Sequence, residues 1–286
     1  MSTGLINSAL YDLRDGLFHP TELARGPWDP RAQHGGAPSA LMLQRLSTLP
    51  DVDGQLTRAT VEFLKPLPMT PLELRLEVVR NGRQVQRTEA TLVAGEAAVA
   101  RAEGLHVAGE PGATDTVNSA HMHYPDELAL PPPHSLAAAG AEHRRTATGA
   151  SADGTERKHP VSFAADAVEI RHSYGHFKEQ GPAAAWIRLL VPVVSGDEET
   201  SPWARLAAAC DFGNGLSNVV RFRTHTFVNA DLTIAVGRMP QGEWIGLHSV
   251  TRAGSDGVGI AVSQVADADG YVGVGQQTVL IRRRKQ

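Results

Sequence analysis

The segment PSALMLQRLSTLP, residues 38–50, decides the fold because it is a helix with almost no polar side. Its first residue, Pro38, suits the first turn of a helix. The apolar residues then cover most of the helix surface: Leu41, Met42, Leu43, Leu46 and Leu49. A helix that is apolar nearly all round must be covered by other structure. We therefore expect it to be buried.

Alternating strands follow this helix. Ala59, Val61 and Phe63 share one face of the first strand, and residues 72–78 alternate apolar with charged side chains. Asn81 and Gly82 form a dipeptide typical of hairpin turns, which predicts a strand over residues 83–93. Gly95 then separates it from a strand over residues 97–107.

The same plan recurs in the second half of the chain. Ser201 and Pro202 are a good N-cap and first residue for a helix, and Trp203, Leu206, Ala207 and Cys210 follow at helical spacing. Gly213 and Gly215 are expected to end it. Strands are predicted over residues 232–236, 244–250, 258–266 and 271–282, with a hairpin at 266–270. A buried helix followed by antiparallel strands, occurring twice, predicts an α+β fold.

Between the two copies the composition changes. Residues 104–160 are dominated by Ala, Gly, Pro, Thr, Ser and His, and no apolar period is sustained. A structureless loop of this length is unusual inside one compact domain, so it indicates a linker. The predicted organisation is an N-terminal domain over residues 1–107, a linker over 108–160 and a C-terminal domain over 161–286.

Composition excludes several classes of protein. With 286 residues, 42% of them hydrophobic, the chain is large enough to bury a core. Its net charge of −4 does not suit binding to nucleic acid. No apolar stretch approaches the ~20 residues of a membrane span, and the N-terminus has no secretory signal, so we expect a cytoplasmic protein that does not bind membranes. The single cysteine, Cys210, excludes an intramolecular disulfide.

Five segments in order resemble the double-hotdog acyl-CoA thioesterases. They are PWDPRAQHGGAPSALMLQRL (27–46), VEFLKPLP (61–68), LAAACDFGNGLSNVV (206–220), FVNADLTIAVGRMPQGEWIGLHS (227–249) and VGVGQQTVLIRR (272–283). In that family two fused hotdog domains each wrap a long antiparallel sheet around a central helix. The resemblance implies a double hotdog that hydrolyses acyl-CoA thioesters to free acid and CoA, with no metal and no cofactor.

The resemblance also implies the site residues. Asp211 corresponds to the acidic residue after the second helix and Gln277 to the glutamine of the last strand, both placed around an attacking water. The polar strand residue falls on Asn229, where the family usually has Thr; Asn can still orient a water through its amide. Gln276 would replace Gln277 if the alignment slipped by one residue. From the residues themselves, His34, Gly35 and Gly36 just before the first helix offer backbone N–H groups that could bind substrate. The two glycines also suit a simple loop that turns the chain into the helix.

Other interpretations stay open at this point. Asp211 lies at the C-terminal end of its helix, where the helix dipole disfavours an anion by ~0.3–1 kcal/mol, yet an Asp there also suits a simple turn. Gln277 could pair with a neighbouring strand. Asp29 and His34 resemble, weakly, the acid and histidine of hotdog enoyl-CoA hydratases. A third possibility is a non-catalytic acyl-CoA or lipid binder that has kept only the fold.

The remaining chemical groups support weaker hypotheses. His172 and His176 are four residues apart but fall on a predicted strand and turn without a third ligand, so no metal site is expected. Cys210 completes an apolar stripe and is expected in the core. The run from Arg282 to Lys285 suits either the phosphates of CoA or a solvated tail. Long strands with free edges favour a homodimer.

Overall fold

The computed structural model of the protein describes residues 9–110, 112–113, 130–137, 160–197 and 199–284. A small two-stranded sheet and an eleven-stranded antiparallel sheet form its framework. The strands of the first half are β1 Tyr11–Arg14, β2 Leu17–Pro20, β3 Gln55–Phe63, β4 Glu73–Asn81, β5 Val85–Ala94 and β6 Ala97–Val107. Those of the second half are β7 Val168–Tyr174, β8 Ala183–Leu189, β9 His225–Asn229, β10 Asp231–Val236, β11 Ile245–Ala253, β12 Val258–Asp267 and β13 Gly270–Arg283.

The large sheet joins the two halves of the chain. Its order is β4-β5-β6-β3-β10-β13-β12-β11-β8-β7, and β9 pairs with the C-terminal part of β13 beyond β10. The junction is the antiparallel pair of β3 and β10, in which Val61 lies opposite Leu232 and Ala59 opposite Ile234. All four of these side chains are buried. The halves therefore share one sheet and one core, and the α+β double-hotdog prediction is confirmed.

Two central helices lie inside the curved sheet. Helix α1, Gly36–Ser47, is buried along nearly its whole length, as its composition predicted. Helix α2, Pro202–Cys210, packs against α1 and against the inner face of the sheet. The Ser201 hydroxyl accepts a hydrogen bond from the Ala204 N–H at 3.1 Å, which confirms the predicted N-cap. The Gln44 side chain of α1 also accepts from the Ser201 N–H at 3.1 Å, so the two helix ends are tied together.

One prediction about the second helix is wrong. Gly213 and Gly215 do not end it; α2 ends at Cys210, and Gly213–Leu216 forms a separate short helix, α3. The glycine at 213 is needed for contact rather than for a turn, because a Cβ there would lie 2.6 Å from the Ser263 hydroxyl of β12. The small residue lets α3 approach the sheet closely.

The predicted linker lies partly outside the described residues. Its described part at 130–137 packs against the second half: the Trp186 indole donates to the Pro131 carbonyl at 2.7 Å, and Arg171 donates to the Pro133 carbonyl at 2.8 Å. The domain boundaries at 107 and 161 stay a prediction. Among the described helices, none combines the length and the apolar character that crossing a bilayer requires.

The hairpin between β12 and β13 is held by a buried ion pair. The Asp267 carboxylate is fully buried and accepts two hydrogen bonds of 2.6 Å from Arg238. It also accepts from the backbone N–H groups of Gln241 at 2.7 Å and Asp269 at 2.9 Å. Burial alone would raise the pKa of Asp267, but these donors outweigh burial and lower it.

We expect Asp267→Asn to lower the free energy of unfolding at pH 7 by about 2 kcal/mol, because hydrogen bonds to a charged group are lost. The pKa of the folded carboxyl lies below its unfolded value of about 3.9, so this contribution is present above that pH and disappears as the pH falls below it. Urea unfolding at pH 7 and pH 3 measures the difference. Asp256→Asn, in the exposed turn after β11, is the control. If Asp267→Asn lowered the free energy of unfolding by the same amount at pH 7 and at pH 3, the lowered pKa of Asp267 would be contradicted.

Candidate active site

Asp211 caps the C-terminus of α2 and is almost completely buried. Its backbone N–H donates to the Ala207 carbonyl at 3.3 Å, which completes the last turn of the helix. Its side chain is only 4% exposed. A buried carboxylate is costly unless hydrogen-bond donors surround it, so the groups around Asp211 determine whether it can remain there.

Two amide side chains of the second half meet this carboxylate. Asn229, at the end of β9, donates from Nδ2 to Asp211 Oδ1 at 2.9 Å. Gln277, on β13, donates from Nε2 to the Asp211 carbonyl at 3.0 Å and to Oδ1 at 3.4 Å. The three residues named from the resemblance are therefore in contact. Their N–H groups are directed at Asp211 itself, so the amides orient the carboxylate.

Asn214 is a fourth member of this group that the sequence did not predict. Its backbone N–H donates to Gln277 Oε1 at 2.8 Å, and its side chain donates from Nδ2 to Asn229 Oδ1 at 3.0 Å. Both amide oxygens therefore have donors, which fixes which end of each amide faces Asp211. The only signal in the sequence was its position three residues after Asp211, the spacing of neighbours on a helical turn.

The first half supplies the opposite wall of the site. His34 Nδ1 lies 2.9 Å from Asp211 Oδ2. A Cβ on Gly35 would lie 2.9 Å from Asp211 Oδ2 and 2.9 Å from the Phe63 ring, so only glycine fits at this position. A Cβ on Gly36 would lie 2.9 Å from the Phe163 ring. The pair of glycines allows the start of α1 to approach the carboxylate closely.

This contact changes the electrostatic environment expected for Asp211. Asp211 lies at the C-terminus of α2, where the helix dipole disfavours an anion. The N-terminus of α1, however, lies against the same carboxylate. A helix N-terminus stabilises an anion by about 0.3–1 kcal/mol or more when partly buried. The two helix ends therefore act on Asp211 in opposite directions, and the buried anion has the favourable end of α1 as a neighbour.

Two groups approach the Nδ1 atom of His34. The Gly36 N–H donates to it at 3.1 Å, and Asp211 Oδ2 lies 2.9 Å from the same atom. The ring also lies between two aromatic side chains, 4.7 Å from the Phe163 centroid and 4.9 Å from that of Phe212. These phenylalanines were not predicted as part of the site.

The Asp29 and His34 pair that would suit a hydratase is not formed. Asp29 accepts hydrogen bonds from Arg31, through the side chain at 2.9 Å and the backbone N–H at 2.9 Å. These bonds lower the pKa of Asp29 to about 2. His34 instead contacts Asp211, so the two proposed hydratase residues have different partners.

Other residues singled out in the sequence lie apart from this group. Gln276 is exposed on the outer face of β13, whereas Gln277 is buried on the inner face. Cys210 is buried in the core, and burial raises the pKa of its thiol, which makes it a poor nucleophile. His172 and His176 contact each other and Phe177, and burial followed by the His176 charge lowers the pKa of His172 to about 4. Across the described ranges, no three His, Cys, Asp or Glu side chains are grouped as metal ligands would be.

Comparisons with known proteins agree with this architecture. The acyl-CoA thioesterase N-terminal domain matches residues 24–107, and the acyl-CoA thioesterase C-terminal domain matches residues 138–281. A hotdog-fold protein from Alicyclobacillus acidocaldarius superposes with a TM-score of 0.67 at 18% identity, over 95% of this chain and 95% of that chain. A comparison with curated protein sequences finds no match.

Two solved thioesterases are also similar in fold. A putative thioesterase II from Thermobifida fusca has a TM-score of 0.67 at 16% identity and covers 96% of this chain and 95% of its own. An acyl-CoA thioesterase II from Mycobacterium marinum has a TM-score of 0.62 at 14% identity and covers 92% of this chain and 97% of its own. At these identities the likeness shows a shared fold.

The chain belongs to the acyl-CoA thioesterase family, because models of both domains of that family match it in the expected order. Its fold is the double hotdog, and its activity is the hydrolysis of acyl-CoA thioesters. The matches do not identify the reacting residues, so their roles are argued below from geometry.

We expect Gly35→Ala to lower kcat/KM for acyl-CoA by roughly a hundredfold, because a Cβ would displace the Asp211 carboxylate. Gly35 has φ −56°, which alanine adopts freely, so the effect is steric and the fold should survive. Gly215→Ala is the matched control, since its Cβ would meet Phe177 at an ordinary 3.7 Å. Steady-state kinetics with thermal unfolding as a fold check measures both. Equal activity in the two variants would show that the contact is unimportant.

Proposed function

We propose that this cytoplasmic thioesterase uses Asp211 as the general base that activates a water against the thioester carbonyl. The proposal rests on the different surroundings of the two oxygens of the buried carboxylate. Asn229 and Gln277 occupy Oδ1, whereas Oδ2 faces His34 and the start of α1. Oδ2 is therefore the oxygen on the side where the two halves of the protein meet. We propose that the attacking water binds to Oδ2.

The reaction needs no metal and no covalent intermediate. Asp211 Oδ2 accepts a proton as the water oxygen bonds to the thioester carbonyl carbon. The resulting tetrahedral intermediate carries negative charge on the former carbonyl oxygen. Its collapse breaks the carbon–sulfur bond, and the CoA thiolate leaves with the electron pair and takes the proton from Asp211. The products are the free acid and CoA.

The start of α1 suits stabilisation of the negative oxygen. Gly35 brings its backbone N–H and the positive end of the α1 dipole beside Asp211. The N–H of Gly36 donates to His34 Nδ1, and the N–H of His34 donates to the Ala24 carbonyl at 2.8 Å. Backbone donors at a helix N-terminus are preorganised, so they stabilise developing charge without rearranging. We therefore propose that the Gly35 N–H binds the carbonyl oxygen of the substrate. The expected backbone donors of His34 and Gly36 have partners within the protein, so these two residues shape this end of α1 around the substrate.

Asn229 is compatible with activity although the related enzymes usually have threonine here. Its Nδ2 donates to the carboxylate and its Oδ1 accepts from Asn214, so it uses both ends of the amide. A threonine hydroxyl has one proton to donate and is shorter. Asn229 and Asn214 together are therefore proposed as the means by which this chain keeps Asp211 oriented.

Free-thiol release from a panel of acyl-CoAs tests the assignment. We expect Asp211→Asn to lower kcat by about 10²–10⁴-fold, since the amide cannot accept the proton while its shape is retained. Asp256→Asn, an exposed acid in the turn after β11, is the control and should keep full activity. Unchanged thiol release in Asp211→Asn would refute the role of this residue.

The same assay separates the alternatives. Hydration of an enoyl-CoA without thiol release, abolished by Asp29→Asn, would favour a hydratase. Tight acyl-CoA binding with neither reaction would favour a non-catalytic binder. From the geometry we expect wild type and Asp29→Asn to release thiol and Asp211→Asn to lose this activity.

We also propose that the protein forms a homodimer through the outer face of its sheet. Exposed apolar side chains lie together on the outer faces of β12 and β13: Val258, Ile260, Val262, Val274 and Leu280. The pairing of Val258 with Leu280 shows that the two strands contribute to one surface. A contiguous apolar patch of this kind is typical of an interaction surface, and a second copy would cover it by symmetry.

Light scattering after size-exclusion chromatography tests this interface. We expect wild type at twice the 30.5 kDa chain mass. Ile260→Glu should dissociate it, because charge would be buried at the centre of the patch. Val79→Glu, at a similarly exposed apolar residue of the distant edge strand β4, should remain dimeric. A monomeric wild type, or a dimer that tolerates Ile260→Glu, would contradict the interface.

A further inference from the structure

We propose that the nucleotide end of coenzyme A docks on a basic aromatic patch beside the site. The patch consists of Trp28, Phe222, Phe227, Arg221, Arg223, Arg283 and Arg284. This inference rests on the proposed function, because it explains how the same site would receive the distal part of its substrate. The ligand chemistry is an adenine ring with a 3′-phosphate and a 5′-diphosphate.

The aromatic side chains present a flat surface for the base. The Trp28 and Phe222 rings stack with centroids 4.6 Å apart and planes 17° apart, and Phe227 meets Trp28 edge-on at 5.0 Å. Phe222 is nevertheless 45% exposed, although it sits in this stack. A rigid, exposed aromatic face binds a nucleobase by stacking, which is worth about 1–3 kcal/mol per base in nucleic-acid binders.

Arginines surround this aromatic face. The Arg284 guanidinium lies 5.4 Å from the Trp28 ring and 5.1 Å from the Phe222 ring, and its Nε donates to the Phe222 and His225 carbonyls. Arg221 and Arg223 flank Phe222 in the chain, Arg283 precedes Arg284, and all three are exposed. Within the part of the chain that the structure describes, none of these four guanidinium groups forms an ion pair with a carboxylate.

Such a concentration of unpaired positive charge contrasts with the whole chain. The net charge of the protein is −4, so basic residues are not in excess overall. Unpaired arginines gathered beside one aromatic face repel one another unless an anion joins them. Guanidinium groups bind phosphate through paired hydrogen bonds, which suits a diphosphate and a 3′-phosphate.

Strand β9 runs between the site and the patch. On the inner face of the sheet, Asn229 lies opposite Val279, Phe227 opposite Ile281 and His225 opposite Arg283. Asn229, at one end of this strand, contacts the Asp211 carboxylate, and His225, at the other end, lies beside the arginines. Asn229 and His225 are four residues apart on a strand, which places them about 14 Å apart.

The pantetheine arm matches this distance. From the thioester sulfur to the first phosphorus it has about thirteen bonds, equal to about four extended peptide residues or roughly 15 Å. The side chains between the site and the patch are apolar and form a small core cluster of Phe227, Ala261 and Val279, against which Trp28 and Ile281 are partly buried. Methylene groups and the dimethyl carbon of the arm suit such a surface.

Trp28 also links the patch to the first half of the molecule. It lies on the same loop as His34, between the Glu22–Ala24 turn and α1. Binding of the nucleotide at Trp28 would therefore hold the loop that carries His34 against Asp211. Recognition at the patch and positioning of the thioester would involve the same segment of chain.

Two thioesters with the same acyl group test the proposal. One is acyl-CoA and the other is the acyl thioester of pantetheine, which lacks the nucleotide. In Phe222→Ala, and in the double variant Arg221→Gln with Arg223→Gln, we expect KM for acyl-CoA to rise about tenfold or more with little change in kcat. The pantetheine thioester should be hydrolysed as by wild type. The double variant Arg80→Gln with Arg83→Gln, at exposed arginines near the turn between β4 and β5, removes the same two charges at the far edge of the sheet and should change the kinetics of neither substrate.

The outcomes separate this proposal from the proposed function. Equal losses for both thioesters, or no loss for either, would overturn the nucleotide site. A loss confined to an acyl group carried on an acidic carrier protein would assign the patch to a protein partner and would also overturn it. If wild type released no thiol from either substrate, the proposed function would fail. Calorimetry with adenosine 3′,5′-bisphosphate would then test the patch by itself, with binding weakened about tenfold in the same variants expected.

Discussion

Burial of one carboxylate between two helix ends is the constraint on which the site depends. Asp211 closes α2 and faces the start of α1, and its oxygen Oδ1 is held by Asn229 and Gln277. A charge in this position is tolerated only when donors and a favourable dipole surround it. The close approach of α1 therefore has to be preserved, which explains the glycine at position 35.

The shared sheet makes this arrangement rigid. Strand β3 of the first half pairs with β10 of the second, so His34 and Asp211 belong to one framework although they come from different halves of the chain. Asn214 then couples the two amides through one backbone and one side-chain hydrogen bond. A fully satisfied buried network of this kind fixes side-chain orientation, which is what general base catalysis requires. The basic aromatic patch extends the same inner face toward the surface.

Much of the fold could be predicted because the signals are local. Apolar residues covering residues 38–50 and the Ser201 and Pro202 start of the second helix predicted both central helices, and alternation predicted most of the long strands. The short strands β1, β2 and β9 have four or five residues each, too few for a period to be recognised. Gly213 was misread as a helix end because its real requirement, contact with Ser263 on a distant strand, leaves no local pattern.

The sequence by itself determined the buried helices and the repeated plan and, through family resemblance, predicted Asp211, Asn229 and Gln277 as site residues. Only the tertiary structure decided what each polar atom faces: that the amides hold Oδ1, that Asn214 orders them, and that His34 contacts Asp211 while Asp29 pairs with Arg31. The physical reason is distance along the chain. Helix and strand patterns depend on neighbours a few residues apart, whereas His34 and Asp211 meet only after the two halves have packed together.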